Sequence, residues 1–341
     1  MTAARWTALH VRLDQTLQKR SLLPHQARVL VAVSGGQDSL CLMRLLLDLK
    51  PKWQWQLAVV HCNHRWRADA AANAEYVEQL AHAWQVPYFS ETAAEPVPCE
   101  AAARAWRYQV MASCAVAQGY SRVVTGHTAS DRAETLLYNL LRGSGADGLQ
   151  ALSWQRPLTD GVQLVRPLLN VSRAETAEFC RAAHLNIWHD STNQDWSYAR
   201  NRIRQELLPY LQAHFNPQVE KSLAQTAELL QADVAYLEAA AVELWQQAVE
   251  EQPLLRLNRR VLQSAPLALQ RRVMRQFLQK TLPTAPTFEH IEKMVTLITA
   301  PNRSQTDPFP GGDIARVEGD WVHLCPLPNR DASTSSTTFS I

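Results

Sequence analysis

Short apolar runs alternate with amphipathic stretches through the first half of the chain. Trp6, Leu9, Leu13 and Leu17 recur at helical spacing and predict an amphipathic opening helix. ARVLVAV (27–33) is apolar and valine-rich, and it stops at Ser34-Gly35-Gly36, as a buried strand does. Residues 38–49 are apolar nearly all round, which predicts a helix lying on a sheet. The alternation continues with strands at 57–61, 86–91 and 122–126, and helices at 67–85, near 100–118 and from about 130. Strands that alternate with helices predict an α/β fold built on a doubly wound, mostly parallel sheet. Ligands of such sheets bind at the carboxyl ends of the strands. Ser34, His61 and Gly126 open the segments that follow three of those ends.

The pattern changes at Asn216-Pro217, a good N-cap followed by a good first helical residue. Beyond it Leu223, Ala227, Leu230, Val234, Leu237, Ala241, Leu244 and Ala248 keep a heptad rhythm. That predicts one long helix with an apolar stripe packing inside the chain. Residues 1–215 therefore read as a catalytic α/β domain, and 216–328 as a smaller, mainly helical one. The Ser/Thr-rich tail, 329–341, reads as disordered.

Composition narrows the class. The 341 residues are 46% hydrophobic and 19% charged, with a net charge of +2. This suits a globular chain of two domains and says little about partners. The six cysteines form no C-x-x-C pair, so neither a zinc ribbon nor an iron–sulfur cluster is indicated. The opening residues carry no secretory signal pattern, and no apolar run approaches roughly 18 residues. A cytoplasmic protein without a membrane span is expected.

The strongest chemical signal is Ser34-Gly35-Gly36-Gln37-Asp38-Ser39 between a strand and a helix. The glycines let backbone approach a ligand, and the helix start offers N–H groups and partial positive charge to an anion. Asp38 beside phosphates makes sense if Mg²⁺ lies between them. The alternative is a tight turn with an Asp cap. No Gly-Lys-Ser/Thr is present, so the loop is not a Walker A motif. It looks like the loop of ATP pyrophosphatases, which cleave ATP between the α- and β-phosphates.

His61-Cys62-Asn63-His64-Arg65-Trp66-Arg67 suggests polar contacts to ATP rather than zinc, since no second ligand pair follows. In Thr125-Gly126-His127-Thr128-Ala129-Ser130-Asp131, a His–carboxylate pair can accept a proton. On local spacing alone, a Thr128–Asp131 cap is the competing reading. Arg200, Arg202 and Arg204 alternate at a helix start, so at least one should reach inward to phosphate, and Arg204 is also a candidate for tRNA contact. Between Gln252 and Phe288 no acidic residue occurs, but seven basic ones do, Arg271, Arg272 and Arg275 among them. That is either a nucleic-acid backbone patch or the polar face of an ordinary helix.

These motifs in this order resemble the tRNA(Ile)-lysidine synthetases: SGGQDS (34–39), HCNHRWR (61–67), ARAWRY (103–108), TGHTASDRAETLLYNLLRGSG (125–145), RPLL (166–169) and DSTNQDWSYARNRIRQELLP (190–209). The match covers about the first 215 residues. Thr128 and Ser130 depart from the family's frequent GHH-x-DD. The resemblance implies an adenine-nucleotide alpha-hydrolase-like fold. It also implies a ligase that uses ATP and Mg²⁺ to adenylate the wobble cytidine of tRNA(Ile) with anticodon CAU. Free L-lysine then displaces AMP, and a homodimer is compatible. ATP contacts fall to Ser34, Gly35, Gly36, Gln37, Asp38, Ser39, His61 and Gly126. Catalysis falls to His127, Asp131 and Arg200, and tRNA contact to Arg204, Arg271, Arg272 and Arg275. A tRNA thiolase and a small-molecule adenylating synthetase share the loop and stay open on the residues alone.

Overall fold

The computed structural model describes residues 6–65, 69–95, 97, 99–188, 196 and 198–327. Trp66 and Arg67, residues 190–195, Ser197 and the tail 329–341 lie outside these described residues. The chain divides into two compact units, Met1–Gln231 and Ala232–Ile341.

In the first unit the opening stripe forms α1 (Ala8–Lys19), with Leu9, Leu13 and Leu17 buried. Strands and helices then alternate: β1 (Arg28–Ala32), α2 (Gln37–Trp53), β2 (Gln56–Asn63), α3 (Ala70–Ala83), β3 (Tyr88–Thr92), α4 (Glu100–Gln118), β4 (Arg122–Val124) and α5 (Ala129–Leu141). A short α6 (Ala146–Leu149) precedes a hairpin of β5 (Gln155–Thr159) and β6 (Val162–Val165), and α7 (Arg173–Ala182) follows. The sheet order is β3-β2-β1-β4-β6-β5. All pairs are parallel except the β5–β6 hairpin. Val29, Leu30 and Val31 of β1 are fully buried because helices cover both sheet faces, which explains their unbroken apolar run. Burying each such side chain stabilises the fold by about 1.5–3 kcal/mol. The order reverses direction between β1 and β4, so a crevice opens at their carboxyl ends.

A helical run then carries Arg200 and Arg204: α8 (Ala199–Arg202), a π-turn (Ile203–Leu207) and α9 (Leu208–His214). π-turns are rare and concentrate at functional sites. The long helix α10 (Val219–Ala248) begins just after Asn216-Pro217 and buries Ala227, Val234, Ala241 and Ala248 of its heptad stripe. It starts in the first unit and ends in the second.

One buried network ties α5 to the start of α10. Arg132, 2% exposed, donates to Glu228 at 2.6 Å and to the Leu152 carbonyl at 2.8 and 3.0 Å. Trp154 Nε1 and Arg20 also reach Glu228, at 2.6 and 2.7 Å. Burial alone would push the Glu228 carboxyl up, but Trp154, Arg132 and Arg20 together hold it below its ordinary 4.5. A depressed carboxyl contributes stability that is present above that ordinary value and is lost as pH falls through the folded one. Glu228→Gln is therefore expected to lower Tm by several degrees at pH 7. Thermal melts between pH 7 and 3 should show the gap to wild type closing below about pH 4.5.

The second unit packs α11 (Arg259–Gln263), α12 (Leu267–Thr281) and α13 (Phe288–Thr296) with a four-stranded antiparallel sheet, order β7-β8-β10-β9. These strands are β7 (Val249–Glu250), β8 (Arg256–Asn258), β9 (Asp313–Glu318) and β10 (Trp321–Pro326). Val273, Met274, Phe277, Leu278, Met294, Val317 and Val322 form its core. The helical expectation holds here, and the sheet adds to it.

Candidate active site

A cleft of about 790 Å³ lies at the carboxyl ends of β1, β2 and β4. Ser34, Gly36, Gln37, Asp38, Ser39, His61, Gly126, His127, Asp131, Arg200 and Arg204 all line it. Thus residues from segments as distant as 34 and 204 meet in one place.

The loop at its base is held by its own hydroxyls. Ser39 Oγ donates to the Gly36 carbonyl at 2.8 Å and accepts from the Ser34 N–H at 3.2 Å. Gly35 has φ +82°, where a side chain costs roughly 1–2 kcal/mol, and a Cβ there would lie 2.6 Å from Asn73 Oδ1. Gly36 caps α2, so the helix start faces the cleft with free N–H groups. His61 is buried and its Nδ1 bonds the Val33 carbonyl at 2.8 Å, pinning β2 to the loop's entry. Gln37 turns toward α7, donating to Thr176 Oγ1 at 2.8 Å and to the Arg173 carbonyl at 2.7 Å.

Gly126 marks the tightest approach. A Cβ there would sit 2.8 Å from the Asp38 carbonyl oxygen and 3.0 Å from the Ser39 nitrogen, both backbone atoms that cannot swing away. Gly126→Ala is expected to raise the KM for ATP at least about 10-fold and to destabilise the fold by about 1–3 kcal/mol, as overpacking does. Steady-state kinetics and a melt check both values.

Asp38 stands in the first turn of α2 with 15% of its side chain exposed. Burial raises its carboxyl and nearby Asp131 adds to this, while Arg173 and the Thr176 hydroxyl pull the other way. Thr176 Oγ1 donates to it at 2.5 Å, and Arg173 Nε lies 3.8 Å away. Such an incompletely neutralised carboxylate at an anion-binding helix start suits Mg²⁺, which takes one or two carboxylates and fills its shell with phosphate and water.

On the opposite wall, Asp131 carries two roles at once. Its Oδ2 accepts from the Thr128 N–H at 2.8 Å and the Thr128 hydroxyl at 2.9 Å, which closes the capping box of α5. Its Oδ1 takes Arg200 Nη2 at 3.2 Å, with Arg204 Nη2 at 3.5 Å. The capping reading of the motif is thus realised, and the same carboxylate also holds Arg200. Burial would raise its pKa, but His127, Arg200, the Thr128 N–H and Arg204 win and hold it low. His127 is half-buried, with Nδ1 2.9 Å from the Thr125 hydroxyl. Burial first, then Arg166, Arg200 and Arg104, depress it against the opposing pull of Asp131, so its imidazole is neutral at pH 7. The two departures from the family pattern have work to do: Thr128 caps α5, and Ser130 Oγ accepts the backbone N–H of Arg173 at 2.9 Å.

Glu134, 1% exposed, binds Arg204 through two bonds of 2.6 and 2.8 Å and Arg200 at 3.1 Å. Arg204, read from the sequence as a tRNA contact, therefore sits in the cleft beside Arg200. Sequence reasoning missed Arg173 and Thr176, and it quoted Glu134 and the α4 wall of Arg104, Arg107 and Tyr108 only within motifs, without a place in the site. Only the α5 spacing hinted at Glu134, because it follows Asp131 by three and shares its face.

In the second unit the basic segment is largely paired. Arg272 is buried and bonds Glu238, as does Arg275 at 2.7 Å. Arg271 bonds Glu292 at 2.7 Å, and Lys280 bonds Glu251 at 2.7 Å. Arg260 bonds Asp320 at 2.6 Å, with 76% of its side chain exposed. The segment's charge is thus answered by acids elsewhere in the chain, and Arg272 is buried against Glu238.

Among the described residues, no helix is long and apolar enough to cross a membrane. The family model described as the PP-loop domain matches residues 7–211, and that described as the TilS substrate binding domain matches residues 257–323. A tRNA(Ile)-lysidine synthase of Nostoc sp. is 62% identical over 332 residues, covering 94% of this chain and 97% of that protein. Its namesake in Synechocystis sp. is 54% identical, covering 93% and 97%. A chloroplastic tRNA(Ile)-lysidine synthase of Zygnema circumcarinatum is 36% identical, covering 86% and 81%. Among solved structures, the U34-tRNA thiolase NcsA from Methanococcus maripaludis aligns with a TM-score of 0.55 at 15% identity, over 65% of this chain and 78% of that one. That last likeness is one of fold.

Proposed function

From the premise that this chain belongs to the tRNA(Ile)-lysidine synthase family, we propose how its own residues divide the work of ATP-dependent lysidine formation. The enzyme is a ligase that uses ATP to join lysine to C2 of a cytidine in tRNA(Ile). The observation that carries the reading is the single cleft that joins the anion-binding loop to the His127, Asp131, Arg200 and Arg204 cluster.

The cytosine O2 attacks the α-phosphate, the bond to the β-phosphate breaks and pyrophosphate leaves. The N–H groups at the start of α2, behind Gly36, face the phosphates, and Ser34 and Ser39 hold the loop in shape for them. Asp38 would hold Mg²⁺, which when bound neutralises charge on the departing pyrophosphate. Arg200 and Arg204, both in the cleft wall, are assigned to the negative charge that gathers on the adenylate. Glu134 and Asp131 fix both guanidiniums in advance, and such preorganisation is what makes charge stabilisation effective. In the second half, the lysine ε-nitrogen attacks C2 and the C2–O bond breaks, releasing AMP. The ε-ammonium, with a reference pKa of about 10.4, must first lose a proton. His127 lines the cleft and is the assigned acceptor, and the charge of ionised Asp131 favours the imidazolium that forms.

The second unit contacts the tRNA backbone. Exposed ion pairs are worth only about 0–1 kcal/mol, so Arg260, Arg271 and Lys280 can exchange a carboxylate for phosphate, whereas buried Arg272 cannot. Omitting lysine tests the order of steps. With ATP, Mg²⁺ and unmodified tRNA(Ile) alone, pyrophosphate release should stop at about one turnover per site, with AMP retained on the tRNA. Absence of any lysine-independent release would refute adenylation as the first step.

A further inference from the structure

Two buried thiols lie one helical turn behind the phosphate loop, and the adenylation chemistry uses neither. Cys41 of α2 and Cys180 of α7 are both fully buried. They hydrogen-bond each other, and Cys180 Sγ also donates to the Gln37 carbonyl at 3.4 Å. Gln37 precedes Cys41 by four, and side chains on a helix lean toward its N-terminus, so both sulfurs meet at the same turn of α2. Both are free thiols.

The same two helices build the seat of Asp38. Thr176, one turn before Cys180, donates to Asp38 Oδ1 at 2.5 Å. Gln37 donates to Thr176 Oγ1 and to the Arg173 carbonyl at 2.8 and 2.7 Å. The α2–α7 contact that holds the sulfurs is therefore the contact that positions the loop's carboxylate. Burial ordinarily leaves a cysteine inert. Two features lift that here. Gln37, Asp38 and Arg173 line the cleft, so a small solute entering it stands close to one helical turn from the pair. Cys180 also lies in the last turn of α7, which ends at Ala182, and terminal turns open at little cost.

We propose that Cys41 and Cys180 are a modification site: a dithiol that hydrogen peroxide converts to a disulfide, which stops adenylation until a thiol reductant restores it. One thiolate attacks a peroxide oxygen, the O–O bond breaks, and a sulfenic acid forms as hydroxide leaves. The other sulfur attacks the sulfenic sulfur, the S–O bond breaks and water departs. Two thiols and one hydrogen peroxide thus become one disulfide and two waters. An S–S bond of about 2.05 Å is far shorter than any contact between two thiols, so α7 must shift against α2 and carry Thr176 and Arg173 with it. A misplacement of about 1 Å in a catalytic site costs on the order of 10²-fold. The loss of activity rests on the adenylation reading above; the dithiol itself does not.

The test treats the full chain with hydrogen peroxide, removes the excess and reads lysine-independent pyrophosphate release with ATP, Mg²⁺ and unmodified tRNA(Ile), beside peptide mass mapping without reductant. Release by the wild-type chain should fall about 10²-fold as a Cys41–Cys180 linked peptide appears, and dithiothreitol should reverse both. ATP and Mg²⁺ present during treatment should slow the linking, because they fill the approach. Cys180→Ser and Cys41→Ala, each checked by a thermal melt, should keep their release after the same dose. The proposal is overturned if the wild-type chain keeps its release, or loses it without the linked peptide. It is overturned too if folded variants are inactivated as wild type is, which would move the sensitive thiol to a residue such as cleft-lining Cys62. An untreated chain that releases no pyrophosphate refutes the adenylation reading and the control of it, while the linked peptide judges the dithiol separately.

Discussion

Asp38→Ala should abolish lysine-independent pyrophosphate release, lowering its rate by at least about 10³-fold, while the chain stays folded. Asp38 projects into the cleft from the first turn of α2, and its carboxylate has one hydroxyl partner, Thr176, and a distant Arg173. Burial already works against its charge, so removing it strains nothing in the apo fold and slightly relieves the acid cluster around Asp131. The loss falls on the loaded enzyme, which would have no carboxylate to hold Mg²⁺ against the triphosphate. Single-turnover assays with a melt at pH 7 separate these effects. A folded variant that still releases pyrophosphate within about tenfold of wild type removes Asp38 from the metal's shell.

The second large effect is expected from Asp131→Asn, which keeps the shape and removes the charge. Modification should slow by about 10²–10⁴-fold, the usual range for losing a proton-transfer partner, with the KM for ATP changed no more than about threefold. Two consequences accompany it. His127 loses the negative charge of Asp131, which raises its pKa, so it stays neutral at still lower pH. Arg200 keeps Glu134 but loses its bond to Asp131. The capping bonds to Thr128 weaken as well, at a cost of about 1 kcal/mol, so Tm should fall by a few degrees. A variant that binds ATP poorly but turns over normally once saturated would place Asp131 in the nucleotide site instead.

Much of this site could be read in the residues because it is built where local patterns end. The 27–33 run and the glycines after it predicted both β1 and the loop, since buried parallel strands are continuously apolar and phosphate loops need backbone access. His127 and Asp131 were legible as residues of one strand end and helix start for the same reason, and both line the cleft, although the sequence could not say that one carboxylate would both cap α5 and hold Arg200. What escaped was long-range. Thr176 and Arg173 reach Asp38 across 138 and 135 positions because α7 packs on α2 (176 − 38 and 173 − 38), and no local spacing encodes that. The pairing of the basic stretch between Gln252 and Phe288 escaped for the same reason, because the acids that answer it, Glu238, Glu292 and Asp320, lie outside it in the chain. The small sheet was likewise hidden, because β7 and β8 span only two and three residues and leave no period to detect.

The most direct measurement is nucleoside mass analysis of unmodified tRNA(Ile) with anticodon CAU after incubation with this chain, ATP and Mg²⁺, with and without free lysine. The expected result is a mass gain on the wobble cytidine equal to lysine minus water, present only when lysine and ATP are both supplied. Turnover of ATP without that gain, or with modification of a different base or a small acid, would contradict lysidine formation and leave only the ATP-cleaving cleft.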